Sequence, residues 1–466
     1  MTKILAFTSP AQGHLYPVAP VLAELVSRGH EVTVLTLPDS EQALAQFGLT
    51  VRALPPALAR DTLHDWATTA RIPALRAALR ALIERIPEEI QALRGAIIAE
   101  RPEALLIDLT APGAQILAAA SGLPWASWAS TLLPIPSRDV PPFGPGLRPR
   151  ADLLGRIRDN TLQWFLTRRW NEVLPQLNHM RQYYGLDQLD NAVDYLRQPP
   201  LLLNFTAPPF DYPRGDWPLS VHQIGPGLWA PEAEPPAWLA DIDRPIALVT
   251  CSTEFQDDGR LAQTAMDALA DSEFCTIVTT GAVDPETLTV PPNARAESFV
   301  PHQLILDRAD VVVTHGGLGI TQKALAAGVP VCVVPFGRGQ SEVARRVVTN
   351  EAGTWVSAKR LTPATLRAGI DKAMTLRAGA ARVAAGFAAA GGTLRGAELL
   401  ERHFAGHPIG HGIWSGTTPT HSSHPYPTNE VAPQITRGEP DPIILPPNDS
   451  PPSEDRYWTT WQRRDR

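Results

Sequence analysis

The chain has 466 residues, 44% hydrophobic and 19% charged, which marks a globular, soluble protein with enough apolar material for two domains, each with its own core. A formal net charge of −7 gives no reason to expect nucleic acid or an anionic membrane as a partner, since both select for basic surfaces. Cys251, Cys275 and Cys332 lack CxxC spacing and each falls in an apparent core strand, as reduced core residues of a cytoplasmic protein do.

From the start, KILAFT reads as a strand, SPAQGH as a loop, and a helix runs from about Leu15 to Gly29, with the strand EVTVLT following at once. Strand, helix and strand in so short a span make one βαβ unit of a doubly wound sheet. Pro17 is expected in the first turn of that helix, where no N–H partner is lost, and Gly29 stops it. One Lys before a short apolar run imitates a secretory leader, but the run is too short and no cleavage site follows. The loop has neither GxGxxG nor GK[ST], which argues against NAD enzymes and NTPases.

Asp61 to Glu100 carries Ala, Leu, Arg and Glu at helical spacing, with Pro73 and Pro87 as breaks between helices. Pro102 to Asp108 then reads as a strand ending in an acid. Asp108 and His14 both stand at carboxyl ends of strands of one sheet, so if those strands are neighbours the side chains meet in the crevice. Leu109 to Ser137 has no charge and is long enough to span a membrane. Pro112, Gly122, Pro124 and Pro134 divide it into a buried helix and a strand instead. Arg148 to Tyr184 is helical again. Its Trp164, Phe165 and Trp170 either face the core or, with the helices after Asp61, wall an apolar pocket.

Leu201 to Phe205 is one more buried strand and closes a first domain, 1–206. The Pro-rich stretch 207–236 reads as an extended linker, and a second domain starts near Ala237. Pro245 to Cys251 is a strand, Ser252 and Thr253 begin the loop before a helix at about Leu261, and FCTIVTT is the next strand. The densest signal is Asp310 to Gln340: strand, glycine loop, helix, strand, loop. After Val311 to Val313 comes His315-Gly316-Gly317-Leu318-Gly319, and the helix opens at about Ile320, with Thr321 and Lys323 in its first turn. Such glycines let the main chain pass close to a ligand, and the N–H groups of a helix start favour phosphate. An HGG alone is equally a tightened βαβ turn; the whole stretch is far more specific. Gly328 ends the helix, VCVVPF is the second strand, and Gly337 to Gln340 opens beside the first loop, so His315 and Gln340 face one crevice. Ala380 to Phe404 reads as a long Ala-rich helix, which bounds the second domain at 237–383 and leaves 384–405 to the last helix. The segment 406–466, rich in Pro, Ser, Thr and His, reads as a disordered tail whose histidines lack ligand spacing.

In this order, the GHLYP loop, the acid after the middle strand, the Pro-rich linker, the glycine stretch and the last helix resemble family 1 glycosyltransferases, especially bacterial enzymes that glycosylate macrolides and other secondary metabolites. The resemblance covers about Met1 to Phe404. It implies the GT-B fold: α/β, with two Rossmann-like doubly wound parallel-sheet domains facing a cleft and the last helix crossing back onto the first. It also implies a metal-independent, inverting transfer from a UDP- or dTDP-linked sugar, a co-substrate rather than a cofactor, to a hydroxyl of a small lipophilic acceptor. His14 fits the general base and Asp108 its orienter. On the donor side, Ser252 and Thr253 match small hydroxyl residues that contact the donor. Phe299, with Val300 and His302, stands where an aromatic stacks on the base, and His315, Gly316, Gly317 and Gly319 match the diphosphate holders.

The chain departs from the family at three donor positions. Ile320 replaces a Ser or Thr, leaving Thr321 one place late, and Lys323 replaces the Glu that holds the ribose. Gly339 replaces the Asp of an Asp-Gln pair that holds the sugar, with Gln340 retained. A charge-assisted contact of roughly 1.5 to 3 kcal/mol is lost there. Two other readings stand beside the transferase: a GT-B nucleotide-sugar epimerase, against which the GHLYP loop and the linker speak, and a non-catalytic nucleotide-sugar binder or helper of a partner transferase, for which Gly339 speaks.

Overall fold

The computed structural model describes residues 1–59, 71–230, 233–252, 259–337 and 339–407. Thr253, the start of the helical stretch after Asp61 and the tail from 408 lie outside the described residues.

The apolar runs of the sequence become two all-parallel sheets. The first contains β1 (Lys3–Phe7), β2 (Glu31–Thr36), β3 (Thr50–Ala53), β4 (Ala104–Asp108), β5 (Trp125–Ala129), β6 (Leu202–Asn204) and β7 (Val221–Gln223), in the order β3-β2-β1-β4-β5-β6-β7. The second contains β8 (Ile246–Thr250), β9 (Cys275–Thr279), β10 (Ala294–Glu297), β11 (Ala309–Thr314), β12 (Val331–Val333) and β13 (Gly353–Trp355), in the order β10-β9-β8-β11-β12-β13. Helices cover both faces, so β4, β5, β8 and β9 are buried at every residue and read as continuous apolar runs. In each sheet the winding reverses once, between β1 and β4 in the first and between β8 and β11 in the second. Those reversals open crevices at the carboxyl ends of the strands.

Several boundaries differ from the sequence reading. The first helix begins earlier, at Gln12, so Pro17 and Pro20 both lie inside it rather than in its first turn. The Ala-rich stretch is two helices, Arg377–Ala389 and Gly392–Phe404, because Gly391 and Gly392 hold φ of 89° and 53°, where a helix cannot continue. The stretch 207–236 is not a free spacer. Ala207 and Phe210 are buried in the second core, Phe210 edge-on to Phe387 at 5.7 Å, after which β7 returns to the edge of the first sheet and Ile224 is buried in the first core. The prolines dominate the composition, but these scattered apolar residues decide where the segment packs.

The helix Gly392–Phe404 crosses back onto the first domain. Ala397, Leu399 and Leu400 join Leu15, Val18 and Leu22 in one core, and Glu401 pairs with Arg28 at 2.8 Å and His30 at 3.0 Å. Cys251, Cys275 and Cys332 are all buried. Among the described residues no helix is long and apolar enough to cross a membrane.

A buried ion network fastens the two domains. Arg346, on the helix Gln340–Thr349, lies 2.9 Å from Asp211 and 2.9 Å from Glu342, and all three are nearly inaccessible to solvent. Gln223 of β7 donates to the other oxygen of Asp211 at 3.0 Å, so the first sheet shares the network. Arg214, also buried, lies 3.9 Å from Asp211, so removing Asp211 leaves Arg346 to Glu342 alone and Arg214 without its carboxylate. Asp211→Ala is therefore expected to cost about 3 to 5 kcal/mol in denaturant unfolding; a loss within about 0.5 kcal/mol would show that water reaches the network.

Candidate functional site

The first crevice is built around Asp108, the last residue of β4, which has no solvent exposure. Because β1 pairs with β4 in the register Phe7↔Ile107, the turn after β1 and the start of the next helix face the end of β4. Four donors converge on the carboxylate. Oδ2 accepts the Ser9 N–H at 3.0 Å and lies 2.9 Å from His14 Nδ1; Oδ1 accepts the N–H and the hydroxyl of Thr110, both at 2.9 Å. An ionised carboxylate has about four acceptor sites, so this one is saturated. Burial alone would raise its pKa; the His14 charge and hydrogen bond and the two N–H groups outweigh it and hold the carboxyl down at about 2.

His14 is about one-fifth exposed, at the third residue of its helix. Its backbone carbonyl accepts from Trp128 Nε1 and Ser130 Oγ, each at 3.2 Å, so β5 fixes the helix start as well. Below the pair, Arg85 donates to the Thr110 carbonyl at 3.0 Å and lies 3.4 Å from Glu89. Glu89 is buried, which pushes its carboxyl up to about 7. Arg85 also lines a cleft of about 450 Å³ with Pro56, Ala57, Leu58 and Ala81.

The second crevice lies where β8 and β11 pair through Thr250↔Thr314, which brings the loops after them side by side. His315 is almost buried, and its ring lies against Gly317, where an added Cβ would come within 2.7 Å of Nε2. Gly316 needs to be glycine twice over: its φ is 96°, and a Cβ would meet Val333 at 2.9 Å and Gln340 at 3.2 Å. The helix begins at Leu318, two residues before the expected Ile320, with Gly317 as its cap. Gly319 has open space around its missing Cβ, and Phe299 is 62% exposed. Ser252 and Val300 are buried, and His302 Nε2 lies 2.9 Å from Thr279 Oγ1. Burial, then the nearby Lys323 charge, lowers the His302 pKa to about 4.

Several expected donor contacts are committed elsewhere. Thr321 is buried and its hydroxyl donates back to the Gly317 carbonyl at 2.8 Å, while Ile320 packs against the second core. Lys323 reaches across to donate to the Trp229 carbonyl at 2.6 Å, and burial lowers its pKa to about 8. Gln340 Oε1 accepts from Phe336 and Gly337 N–H at 2.7 and 3.0 Å, so it ties its own loop. Gly339 has φ −79°, open to any residue, yet a Cβ there would stand 3.1 Å from Phe143 Cζ. That ring belongs to a segment of the first domain strapped across the cleft: Gly144 and Gly146 N–H both donate to Glu342 Oε1 at 2.8 Å.

Sequence reasoning missed Ser9, Thr110, Trp128, Ser130, Phe143 and Glu342. The one local signal was Asp-Leu-Thr at 108–110, since a Thr two residues after an Asp readily donates its N–H to that carboxylate. The stability Asp108 contributes follows from its depressed pKa. It is fully present above the ordinary carboxyl pKa of about 3.9 and is lost as pH falls through about 2. Asp108→Asn is expected to lower unfolding free energy by on the order of 2 kcal/mol near pH 7, with the gap to the parent closing toward pH 2. A gap independent of pH would remove the carboxylate's charge from the account.

Residues 263–393 match the family described as erythromycin biosynthesis protein CIII-like, C-terminal domain. The 4'-demethylrebeccamycin synthase of Lentzea aerocolonigenes is 32% identical over 422 residues, 86% of this chain and 99% of that protein. The NDP-glycosyltransferase YjiC of Bacillus subtilis is 24% identical over 78% of this chain and 86% of its own length. The crystal structure of CalG4, the calicheamicin glycosyltransferase, superposes with a TM-score of 0.68 at 22% identity, covering 87% of this chain and 98% of that one. With a relative matched over almost its whole length and both sheets of the fold in place, the chain belongs to the family 1 glycosyltransferases of GT-B fold, among relatives that include bacterial secondary-metabolite enzymes.

Proposed function

We propose that the chain transfers a sugar from a UDP- or dTDP-linked donor to a hydroxyl of a small lipophilic acceptor, a macrolide, polyketide or similar natural product. The transfer inverts the anomeric centre and uses no metal ion. The observation that carries this reading is His14 Nδ1 on the saturated Asp108 carboxylate, at the winding reversal of the first sheet. A carboxylate held ionised on one imidazole nitrogen makes the other the proton acceptor and stabilises the imidazolium that results.

In the step we envisage, His14 Nε2 takes the proton of the acceptor hydroxyl. The acceptor oxygen bonds to the anomeric carbon from one face while the bond from that carbon to the diphosphate oxygen breaks on the other. The nucleotide diphosphate leaves with the electron pair. Its growing charge suits the N–H groups at the start of the helix Leu318–Ala326, beside His315. The close approach that Gly316 permits suits the same group, and the exposure of Phe299 supports a stacking role for its ring on the base. The relatives' names agree in class: one is the synthase of a natural product, the other an NDP-glycosyltransferase.

A non-catalytic nucleotide-sugar binder is the second reading, favoured by Gly339 and by the commitment of Gln340 Oε1 to its own loop. Transfer assays with UDP- and dTDP-sugars over a panel of aglycones separate the two. His14→Ala is expected to lower turnover by about 10² to 10⁴ while donor affinity by calorimetry is unchanged. His315→Ala is expected to weaken the donor and leave the acceptor alone. Undiminished turnover in His14→Ala contradicts the base assignment, and donor binding without transfer in the parent chain favours the second reading.

A further inference from the structure

We infer that Thr110, with Ser9 behind it, is a positioning pair that fixes which nitrogen of His14 carries the proton. The inference rests on His14 acting as the base. Thr110 Oγ1 has three polar neighbours: Asp108 Oδ1 at 2.9 Å, Ser9 Oγ at 2.7 Å and His14 Nδ1 at 3.2 Å. A hydroxyl has one hydrogen and two lone pairs, so these three contacts use it up.

The direction of each contact follows from the charge on Asp108. An ionised carboxylate accepts only, so the Thr110 hydrogen goes to Oδ1 and the short contact to Ser9 is Ser9 donating to Thr110. The remaining Thr110 lone pair then faces His14 Nδ1. Two acceptors, Asp108 Oδ2 and Thr110 Oγ1, meet at that nitrogen, and the neutral ring is held with its hydrogen on Nδ1 and its lone pair on Nε2. Asp108 alone would favour the same tautomer. Thr110 adds a second acceptor and, through its own N–H, keeps the carboxylate from rotating away. The Thr110 backbone is itself held by Arg85 Nη2 on its carbonyl. Ser9 does double duty, its N–H on Asp108 and its hydroxyl on Thr110.

Thr110→Val keeps the shape and removes the hydroxyl; Thr110→Ser keeps the hydroxyl. On the full chain with ¹⁵N-labelled histidine, His14 is assigned by its loss in His14→Ala. The parent is expected to show a protonated Nδ1 and an unprotonated Nε2, and Thr110→Val, where Asp108 alone holds the ring, a measurable rise in the Nε2-protonated form. Transfer kcat in Thr110→Val is expected to fall roughly three- to tenfold with both KM values within about twofold, and Thr110→Ser to restore both the rate and the parent spectrum. Ser9→Ala, expected to shift the tautomers in the same direction to a smaller extent, reads the network where Thr110→Val does not fold. A parent ring protonated on Nε2, a parent-like spectrum in the hydroxyl-free variants, or Thr110→Ser behaving like Thr110→Val overturns the inference. The nitrogen spectra need no turnover, so they decide it even where the chain transfers nothing and the proposed function has failed.

Discussion

An ionised carboxylate with no solvent exposure is the constraint from which the first half of the site follows. Removing such a charge from water costs several kcal/mol, and Asp108 offsets that cost with four donors drawn from three places in the chain: the turn after β1, the third residue of the first helix, and the residue two beyond itself. That convergence requires β1 and β4 to be neighbours, which is the point where the sheet reverses its winding. It also requires the helix to begin at Gln12, so that His14 falls in its first turn and faces β4. The pair is thus a consequence of sheet order rather than a decoration on it.

The second sheet repeats the arrangement with backbone in place of charge. Between β8 and β11 the crevice is floored by glycines and a helix start, which present N–H groups at a fixed place without the side-chain ordering cost of a lysine or arginine. The two crevices belong to separate domains, and three features hold the spacing between them. The helix Gly392–Phe404 packs into the first core, Asp211 and Gln223 meet Arg346 in a buried network, and Gly144 and Gly146 are strapped to Glu342. Phe143, at the head of that strap, stands beside Gly339, so a loop of the first domain forms part of the wall next to the glycine loop of the second. A Cβ at Gly339 would press on that ring at 3.1 Å, while the backbone there needs no special conformation.

Much of the fold was legible because its signals are local. Val311 to Val313 and the apolar runs before Asp108 and Cys251 announce buried parallel strands, and Gly316 and Gly328 do have positive φ at the helix boundaries. His14 and Asp108 were legible as a pair because both stand at carboxyl ends of strands of the same sheet. What escaped was set by distant partners. Ser9 and Thr110 are 101 positions apart, and their hydroxyls acquire a role only when β1 and β4 pair. Arg346 looks like one more cation on a polar helix face until Asp211 meets it from 135 positions away. Three-residue strands such as β7 and β13 carry too little periodicity to stand out, and the prolines around β7 conceal it further. Lys323 and Gln340 were read by position within a motif, whereas their contacts are fixed by the Trp229 carbonyl and by the loop at Phe336.

The central claim is a single displacement in which the acceptor oxygen attacks opposite the departing diphosphate, with its proton going to His14. The anomeric configuration of the product tests it most directly. With an α-linked nucleotide sugar, the proton NMR coupling at the anomeric carbon of the purified glycoside reports the outcome. The account predicts a β-linked product, formed with no sugar left on the enzyme. An α-linked product would require either two displacements or attack from the face the diphosphate leaves, and would contradict a single displacement from the opposite face.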